Sequence, residues 1–296
     1  MDVDPGRIGV WLTGFVAQSA GKSIEAVQEI EELGYGAAWY PEAFGTKECF
    51  SAGGLLLGAT SRIVVATGIA NLWARNAVAM ANGARTLGEA YPSRFLLGLG
   101  VSHVEQVGPH GVPYSKPIST MRRYLDEMEG APYFGTEPDP PVPTVLAALR
   151  PKMLEVAAER TAGAHPYFVP VEHTRRSREI IGAGKFLAPE QAVVLSDDPV
   201  KAREIAREHT PFYLGLENYR KNLEWLGYSD EDLADSGSDK LVEDVVAMGG
   251  VDAIVERVRA HLDAGADHVC IQPLIAEQDR FPLAELRELA PALLSL

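Results

Sequence analysis

The stretch RFLLGLGVSH, residues 94–103, decides between two folds for this chain. Its apolar run ends in Gly-x-Gly, as does the strand that leads into a dinucleotide-binding loop. The third position of that G-x-G-x-x-G fingerprint holds His103, where a glycine is needed for close packing of helix against strand. The Gly-x-Gly also lies at the end of the fourth predicted strand, whereas a dinucleotide domain carries the motif after its first strand. We therefore interpret it as the end of a barrel strand, with Gly98 and Gly100 making room for a flat ligand and Ser102 and His103 at the rim.

The rest of the chain repeats the same unit, a short apolar segment followed by a helical pattern. The predicted strands are residues 7–12, 35–40, 62–69, 94–100, 142–149, 163–169, 190–195 and 267–272. They are apolar on both faces, as in a parallel sheet that is covered on both sides. Eight strand–helix units predict one (β/α)8 TIM barrel domain over residues 1–296, and a doubly wound open sheet is the alternative.

Helix ends and two irregular stretches complete this outline. Periodicity, Pro starts and Gly stops predict helices over residues 23–33, 151–162, 198–209, 251–264 and 283–294. Residues 130–143 are rich in Pro and Gly and are predicted to form a loop. Residues 211–247 contain an extra helical pattern, NYRKNLEWLGY, and are predicted to be an insertion after strand seven, on the face where a barrel builds its site.

Composition narrows the class of protein. The net charge of −14 argues against nucleic-acid binding, and the basic cluster around Arg175 is expected to lie on a solvated helix face beside Glu172 and Glu179. No run of 18 apolar residues and no basic signal peptide is present, so a cytoplasmic protein without a membrane partner is expected. Two distant cysteines and the absence of H-x-H or H-x-x-x-H spacing predict no disulfide and no metal site.

Chemistry-bearing residues gather at the predicted strand ends. Neither a G-x-S-x-G elbow nor a phosphate-binding P-loop occurs, which removes the two commonest α/β chemistries. Glu42 follows strand two without a clear carboxylate partner, and it could equally stabilise the start of the next helix. His103 could act as acid or base, or could only bond a neighbouring loop. Aromatic and amide residues at other strand ends suit a large planar ligand; each alone is more often part of core packing, but together they favour a site.

Several motifs resemble one family. IVVATGIANLWARN, RFLLGLGVSH and AAERTAGAHPYFVP occur in one order and look like the bacterial luciferase-like monooxygenase superfamily, in particular its actinobacterial branch that depends on the deazaflavin coenzyme F-420. WYPEAFG and AHLDAGADHVCIQPL are similar to the same branch, so the resemblance covers nearly the whole chain. It implies a luciferase-like (β/α)8 barrel with an insertion and a flavin or deazaflavin ring at the mouth of the barrel. Relatives commonly pair, so a homodimer is also implied.

The resemblance implies roles for particular residues. It places a non-proline cis peptide at Gly68–Ile69 against the cofactor ring, a cofactor phosphate at the helix start that follows Leu146, and strand-six residues beside the cofactor tail. The implied cofactor-binding residues are Trp39, Gly68, Ile69, Gly100, Val101, Ser102, Ala147, Ala148, Leu149, Arg150, Ala164, His165 and Pro166. Glu42, His103 and Asn71 are the candidates for orienting substrate or exchanging a proton.

Two departures from the family pattern affect the expected activity. Some deazaflavin dehydrogenases carry Asp-His after strand two, whereas this chain has Glu42-Ala43, which puts a sugar-phosphate dehydrogenase in doubt. The phosphate turn has Arg150 before Pro151 where relatives often have Gly, so Arg150 could contact the phosphate. The expected function is hydride transfer between coenzyme F-420 and a small organic substrate. An FMN-dependent two-component monooxygenase and a non-catalytic flavin-binding barrel are the alternatives.

Overall fold

The computed structural model describes residues 1–277 and 279–296. In this part of the chain the strands are β1 (Ile8–Trp11), β2 (Ala37–Tyr40), β3 (Val64–Thr67), β4 (Ala70–Asn71), β5 (Phe95–Gly100), β6 (Thr144–Leu146), β7 (Gly163–Ala164), β8 (Phe186–Leu187), β9 (Glu190–Leu195), β10 (Val246–Gly249) and β11 (Val269–Pro273). The helices are α1 (Gly14–Ala17), α2 (Ala20–Leu33), α3 (Cys49–Ala59), α4 (Ala77–Ala90), α5 (Val104–Val107), α6 (Pro117–Glu129), α7 (Pro151–Arg160), α8 (Val171–Ile181), α9 (Pro199–Leu214), α10 (Glu217–Leu226), α11 (Asp239–Val245), α12 (Val251–Asp263) and α13 (Leu283–Leu293).

The strands form one parallel sheet that curls into the expected (β/α)8 barrel. Its order is β10-β9-β11-β1-β2-β3-β5-β6-β7-β8, with β4 beside β5. The first and last barrel strands are neighbours, since Ile8 on β1 pairs with Val269 on β11. The chain therefore builds a barrel and not the open, doubly wound sheet.

Residues 186–195 close the barrel as one strand with an interruption at Pro189. Ala188 N–H donates to Ala164 O at 2.9 Å on one side, while Cys270 N–H donates to Pro189 O at 3.1 Å on the other. Because proline has no N–H for the ladder, the strand is divided into β8 and β9 at this point. The sequence predicts this strand only from residue 190.

The third barrel strand bends where the family resemblance implied that it would. β3 ends at Thr67, the Gly68–Ile69 peptide bond is cis, and the chain resumes as β4 along the outer part of β5. The side chain of Thr67 binds both the N–H and the carbonyl of Gly98, at 2.8 and 2.7 Å. These two hydrogen bonds connect the end of β3 to the middle of β5.

Most predicted elements are present with shifted ends. The strand predicted over 163–169 is only Gly163–Ala164, because the chain leaves the sheet at Pro166 and Phe168 has a left-handed φ of 54°. The helix predicted over 198–209 continues to Leu214. In the predicted insertion, NYRKNLEWLGY forms most of α10, and β10 was not foreseen. The basic cluster lies on α8, where Arg175 pairs with Glu172 and Glu179 as expected.

Two apolar layers hold these elements together. The interior of the barrel is filled by side chains such as Trp11, Trp39 and Leu96, and the space between strands and helices by residues such as Ile30, Leu57 and Leu289. Within the described residues, none of the helices combines the length and the apolar character that a membrane span requires.

Candidate active site

A cavity of about 250 Å³ lies at the carboxyl ends of the barrel strands. The predicted site residues that line it are Glu42, Gly68, Ile69, Val101, Ser102, His103, Ala147, Ala148, Leu149 and His165. They come from the ends of five different barrel strands, which is how TIM barrels assemble their sites. The strand-end interpretation of RFLLGLGVSH therefore places Val101, Ser102 and His103 correctly on the cavity wall.

The floor of the cavity is built around Gly68. Its carbonyl accepts a hydrogen bond from Trp11 Nε1 at 2.9 Å. The Nδ1 atom of His165 lies 2.7 Å from Ala188 O and must carry the proton of that bond, because a carbonyl only accepts. Burial lowers the pKa of His165 to about 4, so its ring is neutral at physiological pH. A side chain at position 68 would meet both rings, with a Cβ 2.5 Å from Trp11 Nε1 and 2.9 Å from His165 Nε2.

Glu42 lies on the cavity wall, but its carboxylate is already engaged. Both of its oxygens bind the guanidinium of Arg75. The same carboxylate accepts from Asn71 N–H at 2.9 Å and Cys49 N–H at 3.3 Å, while Glu42 N–H donates to Ile69 O at 3.0 Å. Glu42 therefore braces the chain on both sides of the cis bond and supports the start of α3, the alternative considered for it from sequence.

The remaining predicted site residues lie outside the cavity wall. Those residues are Trp39, Asn71, Gly100, Arg150, Ala164 and Pro166. Trp39 is buried below the floor, where its ring stacks on His165 with centroids 4.4 Å apart. The amide oxygen of Asn71 accepts from Trp73 N–H at 3.1 Å, so it caps a turn and does not face the cavity.

The glycines of the opening stretch have a different purpose from the one expected. A Cβ on Gly98 would lie 1.9 Å from Thr67 O, and one on Gly100 would lie 2.7 Å from the side chain of Ile69. Both glycines therefore make room for the bend after β3 and not directly for a flat ligand. They shape the cavity indirectly, because that bend forms its wall.

The turn before α7 presents unpaired donors to the cavity rim. In the described chain the N–H groups of Ala148, Leu149, Arg150 and Lys152 donate to no backbone or side-chain acceptor. The turn is held by His173, whose Nε2 donates to Leu149 O at 2.6 Å. Arg150 reaches across the rim to Asn218 Oδ1 at 3.1 Å. Free amides at a helix start, with a guanidinium nearby, form a favourable environment for an anion.

His103 is a titratable side chain on the cavity wall and forms no ion pair in the described part of the chain. Its ring stacks on Tyr219 with centroids 5.0 Å apart, and its Nδ1 has no hydrogen-bond partner within residues 1–277 and 279–296. Burial lowers its pKa to about 4, so the ring is neutral at physiological pH and has one N–H donor and one acceptor nitrogen. It can therefore polarise a ligand oxygen or exchange a proton with it.

The insertion supplies a wall that sequence reasoning located only as a region. Phe212, Tyr213, Leu216, Asn218 and Tyr219 line the cavity from α9, α10 and their connection. The sequence predicts residues 211–247 as an insertion on this face of the barrel but identifies no individual side chain of the wall. Other residues lining the cavity that were not predicted are Trp11, Thr13, Pro41, Ala43, Gln106 and Tyr167.

Sequence comparisons give relatives over nearly the whole chain. A protein of Mycobacterium tuberculosis, named as a proposed coenzyme F-420-dependent oxidoreductase, is 24% identical over alignments that cover 93% of this chain and 97% of that protein. The 5,10-methylenetetrahydromethanopterin reductase of Methanolobus tindarius is 25% identical over 45% of this chain and 46% of its own.

Solved structures share the fold. An F-420-dependent secondary alcohol dehydrogenase in complex with an F-420-acetone adduct superposes with a TM-score of 0.77 at 15% identity, over 98% of this chain and 99% of that one. The FMN-bound oxygenating component of 3,6-diketocamphane monooxygenase from Pseudomonas putida gives 0.71 at 15% identity, over 97% and 96%. The sequence model of the luciferase-like monooxygenase family matches residues 4–268. This chain therefore belongs to the luciferase-like monooxygenase family, with a fold shared by F-420-dependent enzymes and FMN monooxygenases.

Proposed function

We propose that this chain is an oxidoreductase that transfers a hydride between the deazaflavin coenzyme F-420 and a small organic substrate. The observation that carries the proposal is the pairing of a closed apolar floor with an anion-favouring rim in one cavity. The floor is formed by Gly68 and Ile69, and the rim by the free amides of residues 148–150 with Arg150. A ligand with a tricyclic ring and a phosphate-bearing tail needs both features, an apolar surface for the ring and an anion site for the phosphate.

The size of the cavity supports a ring inside and a tail outside. Its volume of about 250 Å³ lies just below the ~300–1,000 Å³ that is usual for small-molecule sites. A ring would lie against Ile69, Val101 and Ala147, and its tail would follow Ala148 and Leu149 towards Arg150. The deazaflavin, when bound, supplies the hydride-accepting or hydride-donating carbon.

The chain's own residues position the partners and manage a proton. We assign His103 as the residue that faces the substrate, since its neutral ring lines the cavity wall. The carboxylate of Glu42 is already bound by Arg75 and two backbone amides. Glu42 therefore affects the site indirectly, by holding the Gly68–Ile69 bend in place. The aromatic side chains of α9 and α10 limit the access of water.

An FMN-dependent monooxygenase is the second candidate, because FMN also has a tricyclic ring and a phosphate. The FMN-bound diketocamphane monooxygenase has the same fold, so this fold is compatible with FMN as the cofactor. A barrel that carries a flavin without turning over a substrate is the third.

Binding measurements with each cofactor separate the first two candidates. Titration of the purified chain, followed by cofactor fluorescence, is expected to give at least tenfold tighter binding of F-420 than of FMN. Arg150→Gln is expected to weaken F-420 binding, and the loss should shrink as salt is added, because the missing contact is electrostatic. Arg123→Gln is the matched control, since the Arg123 side chain is 70% exposed on α6. Tighter binding of FMN than of F-420 would reject the deazaflavin assignment.

Turnover distinguishes a catalyst from a carrier. His103→Gln is expected to keep F-420 affinity within about twofold and to reduce kcat by about 10²–10⁴-fold, the range for loss of a general acid or base. The measurement is the change in F-420 absorbance across a panel of ketones, alcohols and enones. If the unmodified chain binds F-420 but oxidises or reduces no member of the panel, the result favours a non-catalytic cofactor-binding barrel and contradicts the proposed oxidoreductase.

A further inference from the structure

Glu190 is a carboxylic acid inside the barrel, below the cavity. It begins β9 and is 1% exposed. Its neighbour Gln191 points to the surrounding helices, where its Oε1 lies 2.8 Å from His261 Nε2 on α12. Because side chains alternate along a strand, Glu190 faces the interior of the barrel.

The carboxyl group holds a strained turn in the chain that follows β7. Its Oε2 accepts from Phe168 N–H at 3.1 Å. Phe168 has a φ of 54°, in the left-handed region that large side chains rarely adopt. The other oxygen, Oε1, is buried and has no hydrogen-bond partner in the described part of the chain. Glu190 thus stabilises a conformation that Phe168 would not choose alone.

That turn sets the aromatic wall of the cavity. The Phe168 ring stacks on Tyr213 with centroids 4.6 Å apart and meets the ring of Tyr219 edge-on at 5.7 Å. The adjacent Tyr167 hydroxyl donates to Gln272 Oε1 and accepts from the Tyr213 hydroxyl, both at 2.6 Å. Tyr167, Tyr213 and Tyr219 all line the cavity, so a change at Phe168 reaches the ligand through them.

The surroundings of Glu190 favour its protonated form. Burial raises its pKa to about 8, and the Phe168 N–H only partly offsets this effect. The titratable groups around it are the phenols of Tyr167, Tyr213 and Tyr219, the thiol of Cys270 opposite it on β11, and the imidazoles of His165 and His209. Burial raises the pKa of the phenols and of the thiol and lowers the pKa of both imidazoles to about 4, so all of these groups are neutral near pH 7.

We propose that Glu190, as a neutral acid, is a positioning residue for the ligand cavity, and that loss of its proton to solvent loosens the aromatic wall and weakens ligand binding. A buried carboxylate without a cation is costly. The effect on ligand affinity rests on the proposed cofactor site. The protonation of Glu190 and the order of the aromatic wall do not depend on it.

Infrared spectroscopy tests the protonation in the unmodified chain. A carbonyl stretch of a protonated carboxylic acid, above 1,700 cm⁻¹ as is general for this group, is expected at pH 6.5 and should disappear with a midpoint near pH 8. Near-ultraviolet circular dichroism from the tyrosines should change over the same interval. Absence of the carboxylic acid band at pH 6.5 would overturn the proposal, whatever the outcome of cofactor binding.

Ligand affinity tests the positioning role. F-420 and FMN are each titrated against the unmodified chain, Glu190→Gln, Glu190→Leu and the exposed control Glu155→Gln from pH 6 to 9. The unmodified chain and the control are expected to lose affinity by up to about tenfold per pH unit above the midpoint relative to Glu190→Gln, in which ionisation is removed. Ionisation of the ligand is common to all four proteins and cancels in these ratios.

The Glu190→Leu variant distinguishes the effect of the hydrogen bond to Phe168 N–H from the effect of side-chain volume. Gln keeps an acceptor for Phe168 N–H and should restore pH-independent binding, whereas Leu removes the acceptor and should bind at least tenfold more weakly throughout. Equal pH dependence in the unmodified chain and Glu190→Gln, or leucine binding equal to glutamine binding, would overturn the proposal. If neither cofactor binds any variant, the proposed function fails, and the infrared and dichroism results still decide the state of Glu190.

Discussion

Gly68 is the residue on which the cavity floor depends. Its Cα lies between the rings of Trp11 and His165, and a Cβ there would approach their nitrogens to 2.5 and 2.9 Å. Trp11 cannot withdraw without losing its hydrogen bond to Gly68 O. His165 cannot withdraw easily either, because Trp39 stacks against it.

Gly68→Ala is therefore expected to reduce the free energy of unfolding by about 1–3 kcal/mol, the usual cost of overpacking a core. Urea denaturation measures this change. Gly21→Ala is the matched control, since a Cβ at Gly21 on α2 meets no atom within 4 Å. The control should be neutral or slightly more stable, because alanine restricts the unfolded chain. Equal stability of the two variants would show that the floor yields more easily than its contacts indicate.

Glu190 also predicts a pH dependence of stability. Its folded-state pKa of about 8 lies above the ordinary value of 4.5, so the folded chain keeps a proton that the unfolded chain has lost between these pH values. The free energy of unfolding should therefore fall as pH rises from 4.5 to 8, by up to about 1.4 kcal/mol per pH unit from this group, and level off above pH 8. Glu190→Gln lacks this contribution, so its stability relative to the unmodified chain should increase over that interval in urea titrations. A difference that stays constant with pH contradicts a neutral Glu190.

Single residues at strand ends were predictable, and their partners were not. The position of His103 after an apolar strand was enough to place it at the rim, because all strands of a parallel barrel end on the same face. Its contact with Tyr219 joins positions more than a hundred residues apart, and no local pattern encodes that contact. The role of Gly98 was misjudged for the same reason, since the carbonyl it accommodates belongs to Thr67 on another strand.

At the scale of elements, the Glu42–Arg75 ion pair joins the loop after β2 to the segment after β4. The Glu42 side chain is 6% exposed and the Arg75 side chain 11%. Water therefore solvates neither charge well, and each charge depends on the other for stabilisation. Arg75 also binds Glu48, the N-cap residue of α3, at 2.9 Å. The pair therefore connects α3, the Gly68–Ile69 bend and the chain leading into α4.

Arg75→Met should reduce the free energy of unfolding by about 3–5 kcal/mol, because it leaves Glu42 buried without a counterion. The double variant Glu42→Gln/Arg75→Met should recover part of the loss, which a double-mutant cycle in urea would reveal. Arg123→Met breaks the exposed pair with Glu127 and should change stability by no more than about 0.5 kcal/mol. A loss below 1 kcal/mol for Arg75→Met would mean that water reaches Glu42.

Elements with a strong local signal were found, and short strands were not. α2 is bounded by Ser19 and Gly34, residues typical of helix starts and stops, and its predicted end is correct. Phe186–Leu187 is too short to show a period of two, and both it and Val246–Gly249 are strands only because neighbouring strands bond to them. The strand predicted to residue 169 ends at Ala164, and the turn at Phe168 is held by a hydrogen bond to Glu190, which lies 22 residues further along the chain.

For the whole molecule, closure of the barrel makes the two ends of the chain interdependent. β1 pairs with β2 on one side and with β11 on the other, and the Arg7 guanidinium binds the carbonyl of Leu296. α13 packs on α2, so the helix layer closes at the same place. Loss of the last strand–helix unit would expose strand edges of β1 and β9 together with the apolar side chains of α2.

We therefore expect the chain to unfold as one cooperative unit. Calorimetry should show a single transition with a van't Hoff enthalpy equal to the calorimetric enthalpy, of about 200 kcal/mol if melting is near 60 °C, from ~0.7 kcal/mol per residue. A fragment ending at residue 266 lacks β11 and α13 and should be unfolded or aggregated, with no protection of β1 amides in hydrogen exchange. Removal of only Ser295 and Leu296, which follow α13, should leave the transition single and shift it by a few degrees at most. Two separate transitions, or a folded fragment 1–266, would contradict one domain over residues 1–296 and would mean that α2 and β1 are stable without the closing strand.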